Sequence, residues 1–190
     1  MAIERADSVD GEFDVVLAAA RTGAPWALGR IYEALAPAVA GLFGAQGIDD
    51  PDDLTSEVFV GVLRNLARFE GNATSFRSWV FTIAYRRLAD ERRRRVRRPP
   101  TVPLAERPEP AAPDDVNGEV ERRLAAERVR ALCERLVPAQ RDVLLLRVFG
   151  DLTVDQVAEV VGRSRGAVKA LQRRGYATIA GLLEQEGEIL

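Results

Sequence analysis

Histidine is absent from this chain of 190 residues, and Cys133 is its only cysteine. Without histidine there is no imidazole for acid–base catalysis or metal ligation, and a single cysteine cannot form an internal disulfide. Lysine is nearly absent too, since Lys169 is the only one among 27 lysine and arginine residues. This composition excludes histidine-based catalysis, histidine–cysteine metal sites and disulfides. We predict no catalytic residues, no cofactor and no metal, and we expect Cys133 to pack within a helix.

Long apolar runs are also missing. No stretch reaches the roughly 20 residues of a membrane-spanning helix, and the first residues do not form a signal-peptide pattern. The sequence therefore predicts a cytoplasmic protein with no membrane insertion. The length suits one or two compact domains.

The net charge is only −2, but the charges are segregated along the chain. Arginine occupies eight of the thirteen positions from 86 to 98, whereas residues 1–14 and 49–57 are acidic. This separation predicts a local basic surface for phosphate groups and an acidic surface for a different partner.

Six prolines fall within residues 99–117, a composition typical of an extended, flexible linker. This linker divides the chain into a first domain, residues 12–98, and a second domain, residues 118–185. Residues 1–11 and 186–190 are predicted to be tails. Apolar residues recur at helical spacing throughout, and no strand-like alternation is sustained, so we expect an all-α fold of two helical domains.

Local signals predict several helix limits in the first domain. Gly23 and Gly47 are expected to end helices, and Asp50, followed by Pro51, is expected to cap the next one. Residues 70–75 are predicted to be a loop before a basic helix that starts at Phe76. The helix after Asp50 has an apolar stripe formed by Leu54, Val58, Val62 and Leu66.

Residues 151–180 have the pattern of a helix-turn-helix. Thr153 and Gln156 predict a capping box, Gly162 ends the first helix, and Ser164 caps the second. The second helix has an apolar face with Val168, Leu171, Gly175 and Leu182, and an opposite polar face with Arg165, Lys169, Gln172, Arg173 and Tyr176. This polar face suits the major groove of DNA. The alternative is an ordinary helical hairpin with a solvated basic face.

The helix from Phe76 ends in an arginine block at residues 92–98. Six arginines in seven residues exceed what a helix dipole needs, so the block predicts contact with nucleic acid. Phe81 and Tyr85 lie one turn apart, away from the main apolar stripe. They either stack on unpaired bases or pack against a neighbouring helix.

The helix over residues 50–69 has an acidic edge opposite its apolar stripe. Asp53, Glu57 and Arg64 lie along this edge, with Val60 among them. It would repel DNA but could bind a basic groove of a protein partner. A solvated helix face is the alternative.

Two segments resemble conserved regions of the sigma-70 family of transcription initiation factors. DPDDLTSEVFVGVLRNLARF and FRSWVFTIAYRRLADERRRR resemble the second region, and LVPAQRDVLLLRVFGDLTVDQVAEVVGRSRGAVKALQRRGYATI is similar to the fourth. The short length and the missing first and third regions resemble the extracytoplasmic-function (ECF) group.

The resemblance implies three contact surfaces. The acidic edge of Asp53, Glu57, Val60 and Arg64 would dock on RNA polymerase. The loop before the basic helix and that helix would hold the melted minus-10 element, through Glu70, Asn72, Thr74, Ser75, Arg77, Phe81, Tyr85, Arg86, Arg92 and Arg93. The last helix and its preceding turn would bind the minus-35 element through Arg163, Ser164, Arg165, Lys169, Gln172 and Arg173.

The function so implied is that of an alternative sigma factor, which recruits core RNA polymerase to promoter DNA and performs no chemistry itself. Members of this group usually have an anti-sigma factor as a further partner. A stand-alone helix-turn-helix regulator is the alternative, but it leaves the acidic edge and the arginine block unexplained. A nucleic-acid enzyme is disfavoured because the consecutive carboxylates of residues 49–53 do not converge on one metal ion.

The charge pattern further predicts that the two domains close on each other. In this hypothesis Asp114, Asp115 and Glu119 pair weakly with the arginine block, and salt screens the contact.

Overall fold

Eight α-helices make up the described part of the chain, which in this computed structural model comprises the backbone of residues 2–97 and 116–187. Their side chains are described for residues 12–97 and 124–185. The helices are α1 (Ala2–Arg21), α2 (Pro25–Ala45), α3 (Pro51–Asn65), α4 (Ala73–Arg97), α5 (Val116–Glu134), α6 (Pro138–Val148), α7 (Val154–Val161) and α8 (Arg165–Gly187). A 3-10 turn at Leu66–Arg68 follows α3. No strand occurs within these ranges, and the all-α fold of two helical domains is confirmed.

The predicted stops and starts around α2 and α3 are confirmed. Gly23 and Gly47 have φ angles of +83° and +74°, which favour glycine because it has no Cβ. The side chain of Asp50 accepts a hydrogen bond from the backbone amide of Asp53 at 3.0 Å. This bond satisfies one of the unpaired amides at the start of α3.

Several helix limits differ from the prediction. α1 already begins at Ala2, so residues 2–11 are helical, because nothing before Gly11 interrupts a helix. α4 begins at Ala73, since the side chain of Asn72 caps it, and the predicted loop shortens to three residues. α5 begins at Val116, inside the predicted linker, and α8 runs on to Gly187. Most of the linker, residues 98–115, lies outside the described residues.

Apolar stripes from α2, α3 and α4, together with Leu17 and Ala20 of α1, form the core of the first domain, α1–α4. All four predicted stripe residues, from Leu54 to Leu66, are buried. α4 presents a second stripe at intervals of four residues, and α2 crosses both with a continuous apolar face. Each fully buried side chain of this size contributes about 1.5–3 kcal/mol through removal of apolar surface from water. The fully buried residues of this α4 stripe are Phe76, Val80, Ala84 and Leu88.

The second domain, α5–α8, is built around the close approach of α6 and α8. Gly175 on α8 lies against Leu144, and a Cβ atom at this glycine would come within 2.7 Å of that side chain. The core of the second domain is formed by Val143, Leu146, Val157 and Val168. Cys133 is buried at the end of α5, as predicted, and burial raises the pKa of its thiol.

The two domains share one apolar core, because buried residues from both belong to a single cluster. The Phe149 ring, at the end of α6, lies directly over Gly41 of α2, where a Cβ atom would come within 2.4 Å of the ring. Gly150 approaches Phe81 of α4 in the same region. α4 therefore packs against the second domain as well as the first.

The helix-turn-helix has the predicted caps. The Thr153 hydroxyl accepts from the Gln156 amide at 3.2 Å, and the Gln156 side chain accepts from the Thr153 amide at 2.8 Å. Gly162 ends α7 with a φ of +65°, and the Ser164 hydroxyl accepts from the Ala167 amide at 3.2 Å. Side-chain and backbone bonds thus define the angle at which α8 leaves the turn.

We expect Thr153→Ala to lower the free energy of unfolding by about 1 kcal/mol, since the hydroxyl that accepts from the Gln156 amide is lost. Urea denaturation followed by circular dichroism measures this. Thr178→Ala is the matched control, because the Thr178 hydroxyl only bonds back to the Arg174 carbonyl within α8. An equal effect of both substitutions would show that the capping box adds nothing specific.

Candidate polymerase and nucleic-acid interfaces

The acidic edge of α3 faces solvent. Asp53, Val60 and Arg64 are exposed, and Glu57 is half-buried. The Glu57 carboxylate lies 3.8 Å from the Arg87 guanidinium of α4, and the two side chains are 44% and 45% exposed. Because the opposite side of α3 is buried, this edge is held rigidly at the surface. The predicted exposure is thus confirmed, whereas the role of these residues stays a prediction.

Val60 belongs to an apolar strip along this edge, whose other members, Tyr32 and Leu63, were missed in the sequence. Tyr32 of α2 packs edge-on against Phe59 of α3 at 4.9 Å between ring centroids, yet remains 46% exposed. Val60 and Leu63 are each 45% exposed. Exposed apolar groups grouped in this way favour a protein partner over DNA. Only the tertiary contact between α2 and α3 reveals Tyr32, because the two residues are far apart in the chain.

The loop before α4 is held from both ends. The Asn72 side chain caps α4 by accepting from the Ser75 amide at 3.0 Å. The carboxylate of Asp14 on α1 accepts from the Ala73 amide at 2.7 Å, and Arg21 donates to the Gly71 carbonyl at 2.6 Å. Its predicted DNA-contacting residues, Glu70, Asn72, Thr74 and Ser75, are all exposed. A loop fixed in this way is pre-organised for a ligand.

An aromatic cluster forms the floor beneath this loop. The ring of Phe69 lies 5.2 Å from Phe76 and 4.9 Å from Trp79, measured between centroids, and Arg21 stacks over Phe69 at 5.4 Å. Offset and edge-on ring contacts of this kind add specific geometry to apolar burial. The cluster therefore ties the loop to the core of the first domain.

One predicted base-stacking residue of α4 is placed differently by the structure. Phe81 is fully buried against the second domain, so in this arrangement it packs against neighbouring residues and cannot stack on a base. The physical reason is that α4 is covered on two sides, which a single helical stripe does not reveal. Arg86 and Arg93 are exposed, and Arg77, Tyr85 and Arg92 are half-buried.

The half-buried groups of α4 meet the second domain through Asp142 of α6. Its carboxylate accepts from the two terminal nitrogens of Arg92 at 3.0 and 2.6 Å, from the Tyr85 hydroxyl at 3.1 Å and from the Gln46 amide at 2.9 Å. The Asp142 side chain is only 7% exposed. Nearby, Arg77 donates to the Gly150 carbonyl at 2.6 Å. Asp142 was not identified from the sequence.

The polar contacts change the acidity of two side chains. Burial, and then the charge and hydrogen bond of Asp142, raise the pKa of the Tyr85 hydroxyl to about 12, against the opposing charges of Arg92 and Arg163. Burial on its own lowers the pKa of Arg92, but the hydrogen bond and charge of Asp142 outweigh it, so that the pKa is raised. Both groups therefore stay protonated at neutral pH.

Three other arginines of the block also have carboxylate partners. Arg93 pairs with Asp90, Arg94 with Glu91 at 2.7 Å, and Arg95 with Asp49 at 2.8 Å. The predicted partners Asp114 and Asp115 lie outside the described residues, as does the side chain of Glu119. Closure of the domains is present, but the contact described for Arg92 involves Asp142 of α6 and not the linker acids.

The predicted two faces of α8 are confirmed at their centre. Val168 is fully buried and Gly175 is buried, whereas Arg165, Lys169, Arg173 and Tyr176 are exposed. Leu171 and Leu182 of the apolar face are only half-buried, as is Gln172 of the polar face. In the preceding turn Arg163 and Ser164 are exposed. Arg165 pairs with Asp155 of α7 at 3.2 Å, and both side chains are largely solvated. The cationic face is therefore accessible to a polyanion.

Family models match both domains. The model described as sigma-70 region 2 matches residues 31–98, and that of sigma-70 region 4 matches residues 126–179. The ECF RNA polymerase sigma factor ShbA of Streptomyces griseus is 35% identical over 70% of this chain and 72% of that protein.

This chain is a member of the ECF group of sigma-70 family sigma factors. Two more relatives extend the match to 95% of the chain at 30% identity: BldN of Streptomyces coelicolor, of which 69% is covered, and SigD of Mycobacterium tuberculosis, of which 89% is covered. The fold is similar to that of CnrH, solved in complex with the cytosolic domain of CnrY, with a TM-score of 0.67 and 24% identity over 91% of this chain and 98% of that one. The protein is thus an alternative sigma factor that directs transcription initiation by core RNA polymerase at promoter DNA.

The described residues contain no candidate metal cluster and no candidate membrane-spanning helix. Within the described residues, no group of three or more acidic or cysteine side chains is placed to hold a metal ion. None of the helices in the described ranges is long and apolar enough to cross a membrane.

The raised pKa of Tyr85 predicts a distinct titration step. A tyrosine ionises near pH 10 in an unfolded chain, so the stabilisation from neutral Tyr85 is complete below pH 10 and is lost as the pH rises towards 12. We expect tyrosinate absorbance to show a step near pH 12 that Tyr85→Phe removes and Asp142→Asn moves to lower pH. A step that persists in Tyr85→Phe would contradict this assignment.

Proposed function

We propose that this sigma factor uses the acidic edge of α3 to dock on core RNA polymerase, the loop and α4 to hold the melted minus-10 strand, and α8 to bind the minus-35 element. The two contact regions correspond to residues 12–98 and 118–185. The protein itself performs no chemistry and acts in the cytoplasm, where its polymerase is. Capture of unpaired bases offsets unstacking, which costs a few kcal/mol per base.

The observation that carries the proposal is the alternation of buried and exposed faces on α3 and α8. The residues proposed for the polymerase and minus-35 contacts are exposed, apart from half-buried Glu57 and Gln172, while their own helices are anchored by fully buried Val58 and Val168. A rigid helix with an accessible charged face suits docking without rearrangement of the domain core. The α4 surface differs, since the second domain covers part of it.

We also propose a protein inhibitor, an anti-sigma factor, as a further partner. CnrH, which has a similar fold, was solved with the cytosolic domain of CnrY. The exposed apolar strip of Tyr32, Val60 and Leu63 offers an inhibitor a surface that overlaps the polymerase-docking edge.

Run-off transcription with purified core polymerase tests the proposed function directly. The chain should direct initiation at discrete start sites on genomic promoter fragments, and core enzyme alone should not. A stand-alone regulator would bind DNA but would not form a stable complex with core enzyme, so the absence of both binding and initiation would favour that alternative.

Reversal of the α3 edge should weaken polymerase binding. The double substitution Asp53→Lys with Glu57→Lys replaces two negative charges in the docking edge, and we expect a loss of affinity for core enzyme of at least roughly tenfold. Fluorescence titration of labelled protein against core measures it. Glu12→Lys with Glu33→Lys is the control, because it makes the same charge change at exposed positions on α1 and α2. Equal losses in the two variants would refute a specific docking edge.

Substitutions on α8 should separate base contacts from phosphate contacts. Alanine at Lys169 or Arg173 should cost about 1–3 kcal/mol at a promoter whose bases it reads, or weaken all promoters alike where it holds phosphate. Electrophoretic mobility and transcription on a set of minus-35 variants distinguish the two. Arg128→Ala, at an exposed position on α5, is the matched control. Unchanged transcription for both α8 variants would exclude α8 as the minus-35 contact.

A further inference from the structure

Asp142 has no hydrogen-bond partner described within its own domain. Among the described residues, every donor to its carboxylate comes from the first domain: Gln46 of α2, and Tyr85 and Arg92 of α4. A buried carboxylate is tolerated only when its oxygens accept hydrogen bonds. The Asp142 oxygens have these bonds only when the two domains are in contact. Asp142 therefore serves the contact between the domains and not the core of either.

A steric feature supports the same contact without any charge. The ring of Phe149 occupies the space over Gly41 that a side chain would fill. Gly41 lies inside α2, one turn before its end, and does not have a positive φ, so its backbone conformation does not require glycine. Gly44, one turn later, has nothing within 4 Å of its missing side chain. Of these two neighbouring glycines, only Gly41 makes room for the second domain.

The covered surface coincides with groups proposed to hold the minus-10 strand. The Thr74 carbonyl accepts a long bond of 3.4 Å from Gln156, Arg77 donates to Gly150, and Tyr85 and Arg92 donate to Asp142. The forked contact between Arg92 and the carboxylate has the geometry that a guanidinium uses for phosphate. In the closed molecule the donors of Arg77, Tyr85 and Arg92 are therefore already occupied.

We infer that the second domain competes with promoter DNA for α4, with the Asp142 carboxylate in the place of a DNA phosphate. The inference rests on the proposed minus-10 role of α4. The free sigma factor is then self-masked, and its α4 surface becomes available only when the domains separate. Separation is also what simultaneous contact with two distant promoter elements requires.

The strength of such a mask depends on the population of the closed form. Since both domains belong to one chain, the contact is intramolecular and benefits from a high effective concentration. If about nine tenths of free molecules are closed, full opening raises the apparent affinity for single-stranded DNA about tenfold, because affinity scales with the open fraction. A contact of this strength weakens DNA binding by the free protein, and the domains can still separate when polymerase binds.

Two substitutions open the contact by different means. Asp142→Asn removes the charge from the pairing group, and Gly41→Ala inserts a methyl group against Phe149 without any change of charge. Gly44→Ala is the control for alanine in α2. Full-length proteins are titrated with a fluorescein-labelled oligothymidylate, a probe for the phosphate contacts of α4. Circular dichroism melts verify that each variant is folded.

Interdomain distance is measured on the same variants. A fluorophore pair at Ala67→Cys and Ala177→Cys, both exposed, reports energy transfer between the domains, and buried Cys133 stays unlabelled. We expect Asp142→Asn and Gly41→Ala each to lengthen the distance and to raise DNA affinity about tenfold, with Gly44→Ala unchanged in both.

Three outcomes overturn the inference. Greater distance without greater affinity would show that closure does not mask DNA binding. Greater affinity in Asp142→Asn alone would reveal a simple charge effect. No change in either variant would show that these residues do not hold the domains together. Core binding and run-off transcription by the unaltered chain test the proposed function separately, because they fail or succeed whatever the distances show.

Discussion

The meeting of the Asp142 carboxylate with Arg92 and Tyr85 is the polar contact on which the arrangement of the two domains depends. Apolar burial alone would allow the domains to slide, since it has no directional preference. A forked ion pair with a hydroxyl and an amide at its sides defines one register. The Phe149 ring, which fits against α2 only where Gly41 has no side chain, favours the same register by its shape. Charge sets the position of the second domain, and shape confines it.

Sequence reasoning identified what is determined locally. The caps at Asp50, Thr153 and Ser164, the stops at Gly23 and Gly162, and the stripe on α3 depend on spacing within one or two turns, and the structure confirms them. Surfaces made of one helix were also predictable, as the exposed face of α8 shows. Each missed feature needed a second element: Tyr32 lies beside Phe59 through packing of α2 on α3, and Asp142 meets Arg92 across the two domains.

The composition of the arginine block does not show which of its guanidinium groups are free to bind nucleic acid. Its cations were expected to face nucleic acid, yet Arg92 to Arg95 each have a carboxylate within 4 Å. The exposed pairs contribute little to stability and exchange easily, since water screens them. Arg92 is different because its partner is buried. The block therefore combines replaceable pairs with one that holds the domains in place, a distinction invisible in a run of identical residues.

Asp14 and Arg21 of α1 support the loop before α4, which is far from α1 in the sequence. They bind the Ala73 amide and the Gly71 carbonyl, more than 49 residues further along the chain. A cut after Arg21 would leave the capping loop of α4 without its outer support while leaving α2–α4 covalently intact. The shape of the loop before α4 therefore depends on a helix that lies outside it, and loss of α1 would free the Gly71 carbonyl and the Ala73 amide while the α2–α4 core kept its own contacts.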